Sequence, residues 1–183
     1  FMANSAYINL IARFLPGKPI SNEEMETYLG FVGGDFKSKS KPIILRNNKI
    51  TSRHYALIPE GKSTHSNAQM VAEAVKNLGK SGLNLKDIDL LACGTSSPDQ
   101  LMPSHASMVH GELGQLPVEA VSFMGGCCAG IFALRYGAMA VQTGVAKNAV
   151  ITGSEKMSHW MQARNFKEEA EKIRQLENNP MLG

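Results

Sequence analysis

The sequence is poor in cysteine: it has three in 183 residues, with no CxxC pair and no Cys/His set at zinc-ligand spacing. That excludes a structural zinc module, and three is too few for a disulfide-stapled scaffold. Two of the three, Cys127 and Cys128, are adjacent, and adjacent cysteines join to each other only under severe strain. A reduced, cytoplasmic setting is the expectation. Charge of one sign is scarce too. The net charge is +3, evenly spread and without any RNA- or DNA-reading motif, so no nucleic-acid partner is expected. No apolar run reaches membrane-spanning length and no stretch reads as a secretory signal, so no membrane role is expected. Nothing in the composition points to a cofactor or a bound metal.

What is present describes a globular chain: hydrophobic residues make up 43% and charged residues 19%, at a length that allows one sizeable core. Residues 1–6, FMANSA, read as a start region or an expression remnant. YINLIARFL (Tyr7 to Leu15) is rich in strand formers and stops at Pro16-Gly17, which predicts a strand. Ser21 followed by Glu24 fits a capping box opening a short helix, EEMETYL. The polar stretch GGDFKSKSKP (Gly33 to Pro42) reads as a loop, and ITSRHYALI (Ile50 to Ile58) as a second strand or extended arm.

Between Ser63 and Lys80, apolar residues at helical spacing (Met70, Val71, Ala74, Val75, Leu78) predict a helix that Gly79 and Gly82 stop. IDLLACGTSS reads as a buried strand feeding a loop, SHASMVHGEL from Ser104 as a helix, PVEAVSF (Pro117 to Phe123) as a strand, and NAVITGSE (Asn148 to Glu155) as another buried strand. The helix after Gly126 carries small or apolar residues on nearly every face, which predicts burial all round. Alternating strands and helices with continuously apolar strands argue an α/β layer around a mostly parallel sheet. From Ser158 onward the chain is charged and reads as helical up to Asn178-Asn179-Pro180.

The stretch GGCCAG (residues 125–130) carries the chemistry. A strand ending at Phe123 must reverse sharply into a helix, and the glycines supply the backbone freedom. The first residues of a helix have unpaired N–H groups and the positive end of the helix dipole. A thiol placed there can act as a nucleophile, and the same N–H groups can stabilise an oxyanion on an attacked carbonyl. On spacing alone two readings stay open, since Cys127 and Cys128 also suit small core positions.

FMGGCCAGIFALRYGAMAVQTGVAKNAVITGSEKMS resembles the nucleophile segment of the β-ketoacyl-acyl-carrier-protein synthase III group, in the thiolase-like superfamily. The matching positions are Cys128-Ala129-Gly130-Ile131, Ala133-Leu134, Gly144 and Gly153-Ser154-Glu155. Upstream, Ile50, Arg53 and His54 match the group's Ile-x-x-Arg-His arm. DIDLLACGTSSPDQLMPSHASMVHGELG matches its segment of strand, small hydroxyl residues, loop, Pro-Ser and helix. The resemblance runs in order from about Tyr7 to Ser158. It implies the N-terminal half of a thiolase-like fold over residues 7–157, followed by a charged helical segment, 158–183, that stops before the second half.

The resemblance makes Cys128 the acyl-accepting nucleophile, with Cys127 as packing, and implies substrate contacts at Arg53, Ser96 and Met102. Met102 matches a residue that in the group reaches the partner subunit's acyl pocket, which implies a homodimer. The reaction implied is a decarboxylative Claisen condensation. Cys128 takes an acyl group from a coenzyme A or acyl-carrier-protein thioester, and malonyl-acyl carrier protein supplies the attacking carbanion. In the group a histidine and an asparagine of the second half assist decarboxylation. His54, His65, His105, His110 and His159 fall at none of those positions, so the isolated chain is expected not to condense substrates.

Group members that use coenzyme A often carry a tryptophan and an arginine near the arm, where this sequence has Ile43 and Thr51. That favours a carrier-bound donor or a specialised relative of alkylresorcinol or aryl-polyene type. A hydroxymethylglutaryl-type synthase is another thiolase-fold alternative, and a non-catalytic half that needs a partner lies outside catalysis. A half-fold should also expose a large apolar face.

Overall fold

The computed structural model describes residues 5–31, 40–114 and 116–177. Residues 1–4 of the start region, most of the polar loop read at 33–42, and the helix stop at Asn178-Asn179-Pro180 lie outside them. In chain order the elements are β1 (Ile20–Ser21), α1 (Met25–Leu29), α2 (Lys41–Asn48), β2 (Ser52–Arg53), α3 (Asn67–Lys80), β3 (Leu90–Gly94) and α4 (His105–Glu112). They continue with β4 (Glu119–Phe123), α5 (Ala129–Gln142), β5 (Ala149–Gly153) and α6 (Lys167–Glu177). Two compact units interleave along the chain, one drawn from Phe1–Leu15 and His65–Lys156, the other from Pro16–Thr64 and Met157–Gly183.

The first unit is built on a parallel sheet of order β4-β3-β5. In register, Leu90 faces both Glu119 and Ala149, and Gly94 faces both Phe123 and Gly153. The middle strand, LLACG, is buried at every position, as a strand paired on both edges and covered on both faces must be. Its alternation divides the core. Leu91 and Cys93 join Ala68, Val71 and Val75 of α3 with Ala106 and Val109 of α4, while Leu90 and Ala92 join Ala133 and Ala140 of α5. Burying Leu90 and Leu91 contributes about 1.5–3 kcal/mol each. These layers are the α/β arrangement the sequence predicts.

The entry to α3 is fixed by a capping box. The Ser66 hydroxyl accepts the Gln69 N–H (3.0 Å) and the Gln69 side chain accepts the Ser66 N–H (2.9 Å), so the N-cap is Ser66 and the helix begins at Asn67, later than the sequence-based start at Ser63. Ser104 caps α4 as read.

Two expectations are corrected in the local structure, and a third is narrowed. Tyr7 to Leu15 forms no strand: it runs as unpaired chain with Tyr7, Ile8 and Ile11 exposed. Strand propensity does not suffice without a neighbouring ladder, and here the Asn77 side chain takes the Arg13 carbonyl (3.1 Å) while Phe14 sits edge-on to His65. Burial of α5 is one-sided. Ala129, Ala133, Gly137 and Ala140 form the buried stripe against the sheet, and Ile131, Phe132 and Met139 are exposed. Residues 50–58, read as a strand or an extended arm, are paired as strand only at Ser52–Arg53, with a single bridge between Leu57 and Ser63.

In the second unit, β1 and β2 pair antiparallel over two residues each. The reciprocal Ser21–Glu24 bonds are present, the Ser21 N–H reaching Oε2 of Glu24 at 3.1 Å and the Glu24 N–H reaching Ser21 Oγ at 3.4 Å. Helix α2 was not anticipated. Its start has Pro42 in the first turn, where a missing N–H costs nothing, but no side-chain cap announces it. Lys41 pairs with Glu26. Among the described residues no helix is long and apolar enough to cross a membrane.

Candidate active site at the strand ends

Open parallel sheets bind ligands at the carboxyl ends of their strands, and in the first unit that edge carries Cys128. After β4, Gly126 takes φ +55°, a conformation side chains rarely adopt, and one 3-10 turn (Gly126–Cys128) leads into α5 with Cys128 as its N-cap residue. Cys127 and Cys128 are both exposed. Cys93 is fully buried in β3, and burial pushes its thiol up to about 11. Exposure therefore separates Cys93 from the pair, whereas backbone position separates Cys128 from Cys127.

The expected row of unpaired N–H groups is shortened by the 3-10 turn. The Cys128 N–H bends back to the Gly125 carbonyl at 3.3 Å, a long bond, and that of Ala129 goes to Gly126.

The turn rests on glycine. Gly94 ends β3 so close to α5 that a Cβ there would stand 2.4 Å from the Ala129 carbonyl oxygen, and a Cβ on Gly130 would lie 3.5 Å from Gly153 Cα at the end of β5. Just beyond, backbone bonds join the three strand ends. Thr95 N–H donates to Phe123 O and Ser154 N–H to Gly94 O, both at 3.1 Å.

A carboxylate then bridges the loops. Glu155 Oε1 accepts the Ser96 N–H (2.8 Å) and hydroxyl (2.6 Å), and Oε2 accepts the Ser97 hydroxyl (2.6 Å). Burial opposes ionisation of Glu155, but these donors outweigh it and hold the carboxyl below its ordinary value. Ser97 Oγ also accepts the Lys156 N–H (3.0 Å), and Lys156 Nζ pairs with Asp99 at 3.0 Å. Asp99 in turn accepts the N–H groups of Asn67 (2.9 Å) and Ala68 (3.0 Å) at the start of α3. His105, 3% exposed, places Nε2 3.3 Å from Ser154 Oγ. Burial lowers its pKa, partly opposed by the Asp99 and Glu155 charges.

The other residues assigned by resemblance fall as follows. Ser96 lies at the strand ends, its hydroxyl donated to Glu155. Met102 is 82% exposed on the loop between β3 and α4. Arg53 belongs to the second unit, on β2, where Nη1 donates to Asn22 Oδ1 (2.7 Å) and touches Met25 Sδ (2.9 Å). Sequence reasoning gave Glu155 no role beyond its place in a Gly-Ser-Glu pattern, and it passed over Asp99. Among the described residues no His, Cys, Asp or Glu cluster suits a metal ion.

No family model matches the chain. Its sequence is 31% identical over 157 residues to a β-ketoacyl-[acyl-carrier-protein] synthase III of Streptococcus suis, covering 86% of this chain and 44% of that protein. Among solved structures it superposes on a tetronic acid condensing enzyme with a TM-score of 0.67 at 26% identity, over 80% of this chain and 44% of that one. The β-ketoacyl-[acyl carrier protein] synthase III of Thermus thermophilus gives a TM-score of 0.67 at 24% identity, over 84% and 44%, a likeness of fold. The chain spans less than half the length of the curated relatives it matches.

Proposed function

For a chain that is a relative of the β-ketoacyl-[acyl-carrier-protein] synthase III enzymes and carries the N-terminal half of the thiolase-like fold, we propose the acyl-accepting part of a condensing enzyme, with Cys128 as its nucleophile. The observation that supports this most is positional: an exposed thiol at the N-cap of α5, seated where all three parallel strands end. The Cys128 sulfur gives up its proton and attacks the carbonyl carbon of an acyl thioester. Negative charge on the carbonyl oxygen develops at the positive end of α5. Collapse breaks the donor's C–S bond, leaves the acyl group on Cys128, and releases the donor thiol with a proton. Condensation with a malonyl-carrier thioester, and a dimer in which Met102 serves the partner's pocket, are proposed for the whole protein.

A specialised condensing enzyme is the second reading. Its support is the likeness to the tetronic acid condensing enzyme, together with Ile43 and Thr51 at places where coenzyme-A-using relatives often have an aromatic and a cation.

The test is acyl transfer followed by peptide mass mapping. Incubation with an acyl thioester is expected to leave one acyl group on Cys128, kept in Cys127→Ser and lost in Cys128→Ser. An adduct confined to Cys127, or none at all, overturns the assignment.

A further inference from the structure

We infer that Glu155 is a positioning residue for the Cys128 turn, holding together the two strand ends on which that turn is seated. This inference rests on the acyl-acceptor reading above. The seat is made of backbone. Gly94 of β3 lies under Ala129 and Gly153 of β5 lies against Gly130, and the two glycines are register partners at the last rung of the β3–β5 ladder. Past that rung one backbone bond remains, from Ser154 N–H to Gly94 O. The chain then diverges into two loops, and a pair of strands does not stay registered at its frayed end without a further tie.

The Glu155 carboxylate supplies the tie. It takes three donors from residues 96 and 97 on the far loop, two of them hydroxyls at 2.6 Å, and charge-assisted bonds of that length are the strong ones. Ser97 answers by accepting the Lys156 N–H, so the loops are joined in both directions. No atom of Glu155 is bonded to Cys128, so any effect on the thiol passes through the seat. A sub-ångström shift of Gly94 against Gly153 moves the floor under Ala129 and Gly130. Attack on a thioester requires the sulfur in one place relative to the carbonyl carbon, whereas alkylation by a small reagent only requires it to be exposed.

The test compares these two chemistries in the parent protein, in Glu155→Ala and in Glu155→Gln, with amide hydrogen exchange over residues 127–131. Glu155→Ala is expected to slow acylation of Cys128 at least tenfold, to leave iodoacetamide alkylation within twofold, and to raise exchange at the turn more than at Tyr136–Gln142. Glu155→Gln keeps an acceptor for Ser96 and is expected to recover part of the acylation rate. Should Glu155→Ala fail to fold, Ser97→Ala removes one of the three bonds to Glu155 together with the acceptor for the Lys156 N–H, leaves both Ser96 bonds, and is expected to shift the same ratio in the same direction. A purely structural role would lower both chemistries together, or neither, and overturns the inference, as does parent-like exchange at the turn. Parent-rate acylation in Glu155→Ala removes the clamp alone. Absence of any adduct in the parent removes the acyl-acceptor reading, and the clamp's purpose with it.

Discussion

Gly94 and Ala129 meet backbone to backbone: the space a Cβ on Gly94 would occupy ends 2.4 Å from the Ala129 carbonyl oxygen and 2.6 Å from the Gly130 nitrogen. These are main-chain atoms of a helix start, which cannot swing aside as a side chain would. Gly94→Ala is expected to destabilise the protein at the upper end of the about 1–3 kcal/mol typical of overpacking, and to slow acylation of Cys128. The urea midpoint checks the first and adduct formation the second. A Gly94→Ala protein of parent stability would refute the contact.

The cysteines should divide cleanly under alkylation. At pH 8 the native protein is expected to take two iodoacetamide groups, on Cys127 and Cys128, because both are exposed. Cys93, inaccessible and with its thiol pushed up to about 11, is expected to react only after denaturation. Intact mass before and after urea reads this directly, and native labelling of Cys93 would contradict it.

Asp99 links the loop after β3 to the start of α3. Burial resists its ionisation, yet the Asn67 and Ala68 N–H groups and Lys156 hold its carboxyl below the ordinary value. A carboxyl lowered on folding stabilises above its unfolded pKa of about 4 and loses that contribution as pH falls further. Asp99→Asn is expected to cost about 1–2 kcal/mol at pH 7. The gap from the parent should narrow as pH falls below about 4 and the parent carboxyl takes up its proton, as urea titrations at pH 7 and at acid pH would record.

His105 adds a second decline on the acid side, at higher pH than that of Asp99. Burial lowers its pKa, with Asp99 and Glu155 opposing and Lys156 paired to Asp99 nearby. The unfolded chain takes up a proton near pH 6.5 while the folded chain resists, so stability is full above about 6.5 and declines below it. The slope due to this one group stays under about 1.4 kcal/mol per pH unit. His105→Gln is expected to flatten the decline between pH 7 and pH 5.5, and an unchanged slope would remove His105 from that role.

The elements legible in sequence were those whose signal is local. Ser104 caps α4, and β3, β4 and β5 fall inside apolar runs bounded by turn residues. Ser66 and Gln69 also carried a local signal, a Ser-x-x-Gln box, that periodicity alone overran. Tyr7–Leu15 misled because strand propensity says nothing about whether a neighbour exists. In α5 the four-residue spacing of Ala129, Ala133 and Gly137 marks the packed stripe, and counting apolar residues on every face hides it. The site was half legible. A helix-start thiol after paired glycines can be read from residues 125–130, but Glu155 meets Ser96 across 59 positions and Ser97 across 58, and no spacing rule reaches that far.

The middle position of β3 has a consequence for how the chain folds. Leu90 finds one neighbour at Glu119 and the other at Ala149, roughly thirty and sixty residues downstream, with a helix inside each crossover. None of these ladders can form as a hairpin, so the entropy of closing both loops falls due before the strand gains its bonds. Helices α4 and α5 can appear early on their own local signals, but the sheet must wait for long-range encounters. The Cys128 turn, which exists only where those strand ends meet, is among the last features of this unit to acquire its shape.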